Sequence, residues 1–310
     1  MNFEKIPPVE QGQDILDLAF RKARVRGRQK NLSGNWLQVI RKKESLKLDI
    51  VKDSLENSLQ KITNYFPNLK ELPLFYTRLM NLTLDPDKFS RSLGAISWVV
   101  KKNRDLHRQF VRSINQETKQ DKIKAITKQY YGRISSIMKQ ISNRLQYLEK
   151  CRTVMRSYPD IKEMFTVCVY GFPNVGKTTL LNKLAGTAAK VAAYAFTTKS
   201  INTGYITINE TTVQILDVPG TLAREKLNQI EMQAELVLQE LADLIIYVYD
   251  PTESCGYSLG QQKILYQNLA GKKVIVYVSK ADLLSLAEMK LIKEKLYTVE
   301  EIKSEIAKRL

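Results

Sequence analysis

The chain has 310 residues, with 49 Lys and Arg against 32 Asp and Glu and therefore a net charge of +17. Hydrophobic residues make up 44%, which excludes global disorder and allows two domains of ordinary size. No apolar run approaches the roughly 20 residues of a membrane helix, and the first residues lack the apolar core of a signal peptide. Three scattered cysteines form neither a CxxC pair nor a disulfide framework, so we expect a cytoplasmic protein. The short apolar runs lead us to expect no membrane partner.

Charge is divided unevenly along the chain. Before Thr166 there are 33 basic and 17 acidic residues, whereas from Thr166 onward there are 16 and 15. Nearly the whole positive excess therefore lies in the first half. Halves that differ so much in charge predict two domains with different partners, and we place these domains at residues 1–160 and 161–310.

Apolar residues of the first half recur at steps of three and four, which is typical of amphipathic helices. One stripe runs over Ile123–Leu148, a second over Leu48–Phe66 and a third over Phe89–Ile114. Prolines punctuate the stripes, and Pro159 ends the series. Long amphipathic helices with short breaks predict an antiparallel helical bundle, and the stripes predict its core.

The same half carries dense runs of basic residues. Phosphate backbones attract such runs, and counterion release makes the binding dependent on salt. Folded RNA is recognised mainly through shape and phosphates, so RNA is the expected partner. An anionic membrane surface is the alternative, but it needs an apolar face that the bundle core leaves free. The predicted RNA-binding residues are Arg21, Lys22, Arg24, Arg26, Arg28, Lys30, Arg41, Lys42 and Lys43.

From about residue 164 onward, short β-rich segments alternate with helical ones. This alternation, with mostly apolar strands, predicts a doubly wound and mostly parallel α/β sheet. The predicted strands are 166–170, 201–208, 211–216, 244–249 and 274–278, and helices are predicted at 229–241 and 258–269.

A glycine loop follows the first of these strands and matches the pattern GxxxxGK[ST] in full. Glycines let the backbone N–H groups face phosphate oxygens, and the following helix adds its positive dipole. We expect Lys177 to reach the β- and γ-phosphates and Thr178 to offer its hydroxyl to Mg²⁺. This segment, which we call the phosphate loop, reads Gly171-Phe172-Pro173-Asn174-Val175-Gly176-Lys177-Thr178 and is followed by Thr179.

Two further elements complete a γ-phosphate site. Asp217-Val218-Pro219-Gly220 ends a predicted strand 40 residues after Lys177. An aspartate there holds a Mg²⁺-bound water, and the Gly220 N–H senses the γ-phosphate. Between the two loops lie Thr197 and Thr198, of which one is expected to close over the nucleotide and bind Mg²⁺; the residues alone do not distinguish them.

The fourth element, Ser279-Lys280-Ala281-Asp282, begins 62 residues after Asp217, again at a strand end. One carboxylate accepts both N1–H and the exocyclic amine of guanine, whereas adenine would place an acceptor against it. Asp282 is therefore the predicted base-selecting residue, with the stem of Lys280 along the ring. GTP and GDP are the expected nucleotides.

The order of these four elements is similar to that of the translational and Obg-like GTPases. Two further stretches, together with the basic helical bundle that precedes them, resemble the nucleolar GTP-binding protein 1 family. They read Glu231-Met232-Gln233-Ala234 and Asp250-Pro251-Thr252-Glu253-Ser254-Cys255-Gly256-Tyr257-Ser258-Leu259. The resemblance covers nearly the whole chain and implies large-ribosomal-subunit assembly, with rRNA, assembly intermediates and ribosomal proteins as partners. The family's eukaryotic members have a long C-terminal extension, so this chain resembles the shorter archaeal form. We expect a monomer off the ribosome.

The chain also departs from the pattern of such GTPases. Ser279 replaces the usual asparagine, and a helical pattern over Leu283–Val299 stands where a fifth, guanine-binding loop is expected. Thr221 occupies the position of a water-orienting glutamine. The resemblance to potassium-activated GTPases implies a substitute, in which Asn174 helps to bind K⁺ and Lys177, Thr198 and Gly220 complete a slow catalytic site.

The function that we predict is GTP hydrolysis that acts as a switch in large-subunit assembly through rRNA binding. Two alternatives remain open at the level of sequence. One is a signalling-type GTPase whose basic helical domain binds a protein or a membrane. The other is a purely structural RNA-binding module whose nucleotide domain no longer works.

Overall fold

The computed structural model describes residues 3–29, 33–186, 192–196, 199–222, 228–283 and 297–310. The described residues form two compact units. We call residues 3–72 and 84–156 the helical unit, and residues 73–83 and 157–310 the sheet unit. None of the helices in these ranges is long and apolar enough to cross a membrane.

Five long helices make up the described part of the helical unit. Asn35 starts the second with a capping box, and Asp85 followed by Pro86 starts the next. The helices that meet at Glu117–Lys119 are joined by only three residues and pack together, which makes them antiparallel neighbours. The helices are α1 (Gly12–Gln29), α2 (Trp36–Tyr65), α4 (Pro86–Gln116), α5 (Gln120–Gln140) and α6 (Ser142–Arg156).

The predicted stripes form the core of the helical unit, with local differences. Ile126 is only half-buried, and the neighbouring Thr127 is buried in its place. The stripe over Ile123–Leu148 does not belong to one helix, because Ile141 leaves helical geometry (φ −98°, ψ 1°) between α5 and α6. Apolar spacing continues across this break, so the pattern alone did not reveal it.

The described residues of the sheet unit are centred on a six-stranded sheet. Its strands are β1 (Thr166–Tyr170), β2 (Ala192–Phe196), β3 (Lys199–Ile208), β4 (Thr211–Asp217), β5 (Leu244–Tyr249) and β6 (Val274–Val278). They lie in the order β2-β3-β4-β1-β5-β6. The β1, β4, β5 and β6 strands are parallel to one another, whereas β3 is antiparallel to β2 and β4. The mostly parallel sheet predicted from the sequence is thus confirmed, and its parallel strands end at one common edge. The helices among them are α7 (Lys177–Ala185), α8 (Gln229–Glu240), α9 (Leu259–Gln267) and α10 (Val299–Ala307).

The helix α3 (Leu74–Thr83) lies in the sheet unit, although its sequence position is within residues 1–160. It packs against α8, and Arg78 forms an ion pair with Glu240 there. The buried Tyr76 hydroxyl donates to the Pro159 carbonyl at 2.7 Å and accepts from the Ile161 N–H at 3.0 Å. Because these partners are distant in sequence, the placement of α3 could not be read from its own apolar face.

Candidate functional site

The glycine loop between β1 and α7 adopts a conformation that only its glycines allow. Gly171 and Gly176 have φ values of +152° and +100°. A Cβ at Gly171 would lie 2.7 Å from the carbonyl oxygen of Val248. The side chains of Phe172 and Val175 are buried and anchor the loop by apolar contacts, whereas Asn174 between them is exposed.

Lys177 is the first residue of α7 and is 8% exposed. Its ammonium donates to the carbonyl oxygens of Phe172 at 2.8 Å and Gly171 at 3.2 Å. The charge is therefore held against the loop, beside the N-terminal N–H groups of the helix. The lysine charge and the helix dipole together make this end of α7 chemically suited to bind an anion.

Oxygen ligands meet beside the start of α7. The Thr178 hydroxyl donates to Asp217 Oδ2 at 2.5 Å, which joins the phosphate loop to the end of β4. Asn202 on β3 lies in register with Asp217, and its Nδ2 donates to the same oxygen at 3.1 Å. A hydroxyl and a carboxylate at one point are the donor types that Mg²⁺ prefers, so the residues fit this metal.

The backbone of Gly220 lies directly against the phosphate loop. A Cβ at Gly220 would be 2.5 Å from the backbone N of Pro173 and 2.9 Å from Lys177 Nζ. Only glycine lets the two loops approach so closely. The predicted residues converge on a pocket of about 680 Å³, a size typical of ligand sites. Its lining is Pro173, Asn174, Gly176, Lys177, Thr178, Thr179, Asn202, Asp217, Pro219 and Gly220.

Other predicted site residues fall outside this pocket. Thr197 and Thr198 lie outside the described residues, as does most of the segment expected to hold a fifth loop. Thr221 is buried, and its hydroxyl hydrogen-bonds to that of Tyr170, whose pKa burial raises to about 12. A side chain committed to this buried pair is not in place to orient an attacking water.

Residues 279–282, which we call the base loop because they are the predicted base-recognition element, follow β6. The Ser279 hydroxyl donates to the Tyr249 carbonyl at 3.2 Å, so it ties the ends of β6 and β5 together. Lys280 donates to Asp250 Oδ2 at 2.7 Å, while Asp282 is exposed on a short 3₁₀ turn. Sequence reasoning missed both Asn202 and Asp250, because their roles depend on strand register and on a contact between distant loops.

The predicted RNA-binding residues differ in their environments. On α1, four of these basic side chains are described and all four are exposed, whereas Ala23 between them is buried. The four are Arg21, Lys22, Arg24 and Arg26. Arg41 instead donates twice to the carbonyl of Glu117, at 2.8 and 3.0 Å, so it closes the C-terminus of α4. Lys42 is exposed and Lys43 half-buried, whereas Lys30 and the side chain of Arg28 lie outside the described set.

The fold and the site define a P-loop GTPase domain joined to a helical region. Residues 166–280 match the family described as 50S ribosome-binding GTPase, and residues 3–162 match the NOG1 N-terminal helical domain. The chain belongs to the nucleolar GTP-binding protein 1 family.

Relatives of the chain include archaeal and eukaryotic proteins. An uncharacterized protein from Methanocaldococcus jannaschii is 34% identical over 93% of this chain and 83% of its own length. Nucleolar GTP-binding protein 1 from Drosophila melanogaster is 31% identical over 92% of this chain and 45% of its own. The chain thus spans less than half the length of this eukaryotic relative. Among solved structures, the G domain of the T. maritima FeoB iron transporter is 27% identical, with 47% of this chain and 98% of that one covered and a TM-score of 0.38.

Proposed function

We propose that the protein hydrolyses GTP to GDP and phosphate and thereby switches its binding to rRNA during large-ribosomal-subunit assembly. The observation that carries the proposal is the convergence of Lys177, Thr178, Asp217 and Gly220 on one pocket. Hydrolysis requires a water to attack the γ-phosphorus as the bond to the β–γ bridging oxygen breaks, and charge builds on the phosphate oxygens.

The residues of the pocket divide the work of this reaction. Lys177 is held where an ammonium can bind β- and γ-phosphate oxygens, and the Gly220 N–H is the proposed γ-phosphate sensor. Mg²⁺, when bound to Thr178 and Asp217, neutralises charge on the β- and γ-phosphates. One of Thr197 and Thr198 remains the proposed switch residue that closes over the nucleotide.

Thr221 occupies the position of a water-orienting glutamine, and its hydroxyl is hydrogen-bonded to that of Tyr170. In the described part of this site, no glutamine is therefore in place to orient water. Asn174 is exposed in the phosphate loop with a φ of +62°, on the wall of the same pocket. We therefore infer that hydrolysis is slow and that K⁺, placed with the help of Asn174, adds positive charge beside the phosphates. Asp282 and Lys280 are the proposed guanine-selecting residues.

The helical unit is the proposed rRNA-binding part. The exposed basic residues of α1 support this role, because neutralising phosphates with such side chains releases counterions. Arg41 contributes less in this proposal, since it holds the end of α4. We propose cytoplasmic pre-ribosomal particles and their ribosomal proteins as partners, with the protein monomeric when released.

A sedimentation assay with purified large subunits tests the proposal. The protein carries a non-hydrolysable GTP analogue, GDP, an ATP analogue or no nucleotide, and Lys177→Ala serves as the variant that loses phosphate binding. We expect the strongest binding with the GTP analogue and none of this preference in the variant. Binding that ignores the nucleotide contradicts the switch, and a nucleotide-dependent protein partner found without RNA favours a signalling role instead.

Charge reversal separates the rRNA surface from general charge effects. Arg21→Glu with Arg24→Glu reverses two exposed cations of α1, whereas Lys263→Glu with Lys303→Glu reverses two exposed cations on α9 and α10 of the sheet unit. We expect the α1 variant to bind the subunit more weakly. Its plot of log affinity against log salt concentration should also be shallower, by about one for each phosphate that is no longer neutralised. Equal effects in both variants would remove the assignment to α1.

A further inference from the structure

The loop between β5 and α9, residues Asp250–Ser258, is organised around one buried carboxylate. The side chain of Asp250 is 0% exposed. It accepts from the backbone N–H groups of Thr252 at 3.0 Å and Cys255 at 3.0 Å, and from the Thr252 hydroxyl at 2.5 Å. Burial acts to raise the pKa of Asp250, but the hydrogen bonds from Lys280 and Thr252 outweigh it and hold the pKa below its ordinary value.

A further strong donor to Asp250 comes from the base loop. Lys280 Nζ lies 2.7 Å from Asp250 Oδ2 and 2.6 Å from the Ser254 hydroxyl. Lys280 also has a φ of +56°, which a residue with a Cβ adopts only where its surroundings hold it. The ion pair with a fully buried partner holds the side chain of this residue. The Leu283 N–H donates to the Lys280 carbonyl at 3.0 Å, so the turn that carries Asp282 begins at the same residue.

Ser279, the first residue of the base loop, does not contact the Asp250 carboxylate in the way that Lys280 does. Its N–H and its hydroxyl both donate to the carbonyl of Tyr249, at 2.9 and 3.2 Å. These bonds attach the start of the loop to β5 but do not reach beyond it. The asparagine that usually stands at this position has a longer amide side chain that braces the base loop. In this chain another residue has to hold the loop beyond Ser279.

The loop that holds Asp250 also touches the phosphate loop. Tyr257 stacks on Phe172 with ring centroids 4.5 Å apart. Gln262 on α9, itself buried, donates to the carbonyls of Asp250 at 2.8 Å and Tyr257 at 3.0 Å. One well-braced loop therefore contacts both the phosphate-binding and the base-binding segments.

We propose that Asp250 is a positioning residue for guanine recognition, which acts by holding the Lys280 ammonium and with it the turn that presents Asp282. This inference rests on the proposed function, because it assumes that Asp282 selects guanine. It gives the Asp250–Ser258 loop a role in nucleotide selection, in place of a purely local role in its own folding.

Selection is measured as the ratio of GDP affinity to inosine diphosphate affinity. Inosine lacks the exocyclic amine, so it loses one of the two hydrogen bonds to the Asp282 carboxylate while its phosphates are unchanged. We expect Asp250→Asn to lower GDP affinity by about tenfold, as for loss of a charge-assisted hydrogen bond, and to bring the ratio toward one. The matched control is Glu253→Gln in the same loop, whose carboxylate accepts from Leu259 N and not from Lys280.

A double-mutant cycle separates positioning from a local structural role. If Asp250 acts through Lys280, Asp250→Asn adds less than about twofold to the loss in a Lys280→Met background. A full additional loss in that background, or an unchanged ratio in the single variant, overturns the proposal. Thermal unfolding checks that each variant folds. If Asp250→Asn does not fold, Ser254→Ala takes its place. This variant must lower the ratio of GDP to inosine diphosphate affinity in the wild-type background and leave it unchanged in the Lys280→Met background; any other result contradicts the proposal.

The wild-type protein distinguishes this failure from failure of the proposed function. If the wild type does not prefer GDP to ADP, guanine selection itself is wrong. If it does, and the variants keep the preference for GDP over inosine diphosphate, only the role of Asp250 is wrong.

Discussion

Replacement of Gly220 by alanine is expected to slow GTP hydrolysis by about 100-fold. The added Cβ would lie 2.5 Å from the backbone N of Pro173, and ordinary contact begins at 3.4 Å, so the two loops must part by about 0.9 Å. The near neighbours are backbone atoms and Lys177 Nζ, so rotation of a flexible side chain does not relieve the clash. A displacement of about 1 Å at a reacting centre is enough for a loss of this size.

Single-turnover hydrolysis of GTP measures this effect, with GDP affinity measured in parallel. GDP affinity should fall by less than the hydrolysis rate, because GDP has no γ-phosphate for Gly220 to contact. The matched control is Gly260→Ala in α9, where the nearest atom to the added Cβ is 3.9 Å away. Hydrolysis at the wild-type rate in the Gly220 variant would show that the loops do not need this close approach, and the reasoning would be wrong.

Three further predictions test other parts of the chain. Asn202→Ala removes the amide bonded to Asp217, so the Mg²⁺ concentration for half-maximal hydrolysis should rise at least about tenfold, and an unchanged Mg²⁺ titration contradicts this. Turnover should be faster in K⁺ than in Na⁺, and Asn174→Ala should abolish the difference; equal wild-type rates in both salts exclude the K⁺ site. Hydrogen bonding from Arg152 lowers the pKa of Glu149 below its ordinary 4.5. Glu149→Gln should therefore lower the free energy of unfolding most at neutral pH, and this difference should vanish as acid protonates Glu149 in the wild type. Urea unfolding against pH measures it, and a pH-independent difference between the two proteins contradicts the ion pair.

The parts of the site that could be predicted from sequence are those whose chemistry is local. The phosphate loop is one, since Gly171, Gly176 and Lys177 act through backbone conformation and a helix N-terminus that the sequence itself specifies. Asp217 and Gly220 could be placed because parallel strands bring their carboxyl ends to one edge of the sheet. Spacing along the chain is enough for such residues.

The residues that could not be predicted depend on contacts between segments that are distant in the sequence. Asn202 reaches Asp217 only through the antiparallel register of β3 and β4, and nothing in the local pattern reports that register. The Asp250–Lys280 pair joins two loops 30 residues apart. The Asp250 stretch was recognised as a family resemblance, but its partner became visible only when the loops were placed side by side.

The placement of α3 has the same origin and a larger consequence for the proposed switch. An apolar face shows that a helix is covered, but it does not identify the element that covers it. Here the cover includes α8, which begins soon after Gly220 and whose Glu231 accepts from the N–H groups of Leu222 at 3.0 Å and Asn228 at 2.9 Å. Glu231 thus holds Leu222, which lies two residues after the proposed γ-phosphate sensor Gly220, against a helix that contacts α3. Only two residues separate the end of α3 from the start of α4, so the chain itself connects the helix that contacts α8 to the proposed rRNA-binding part.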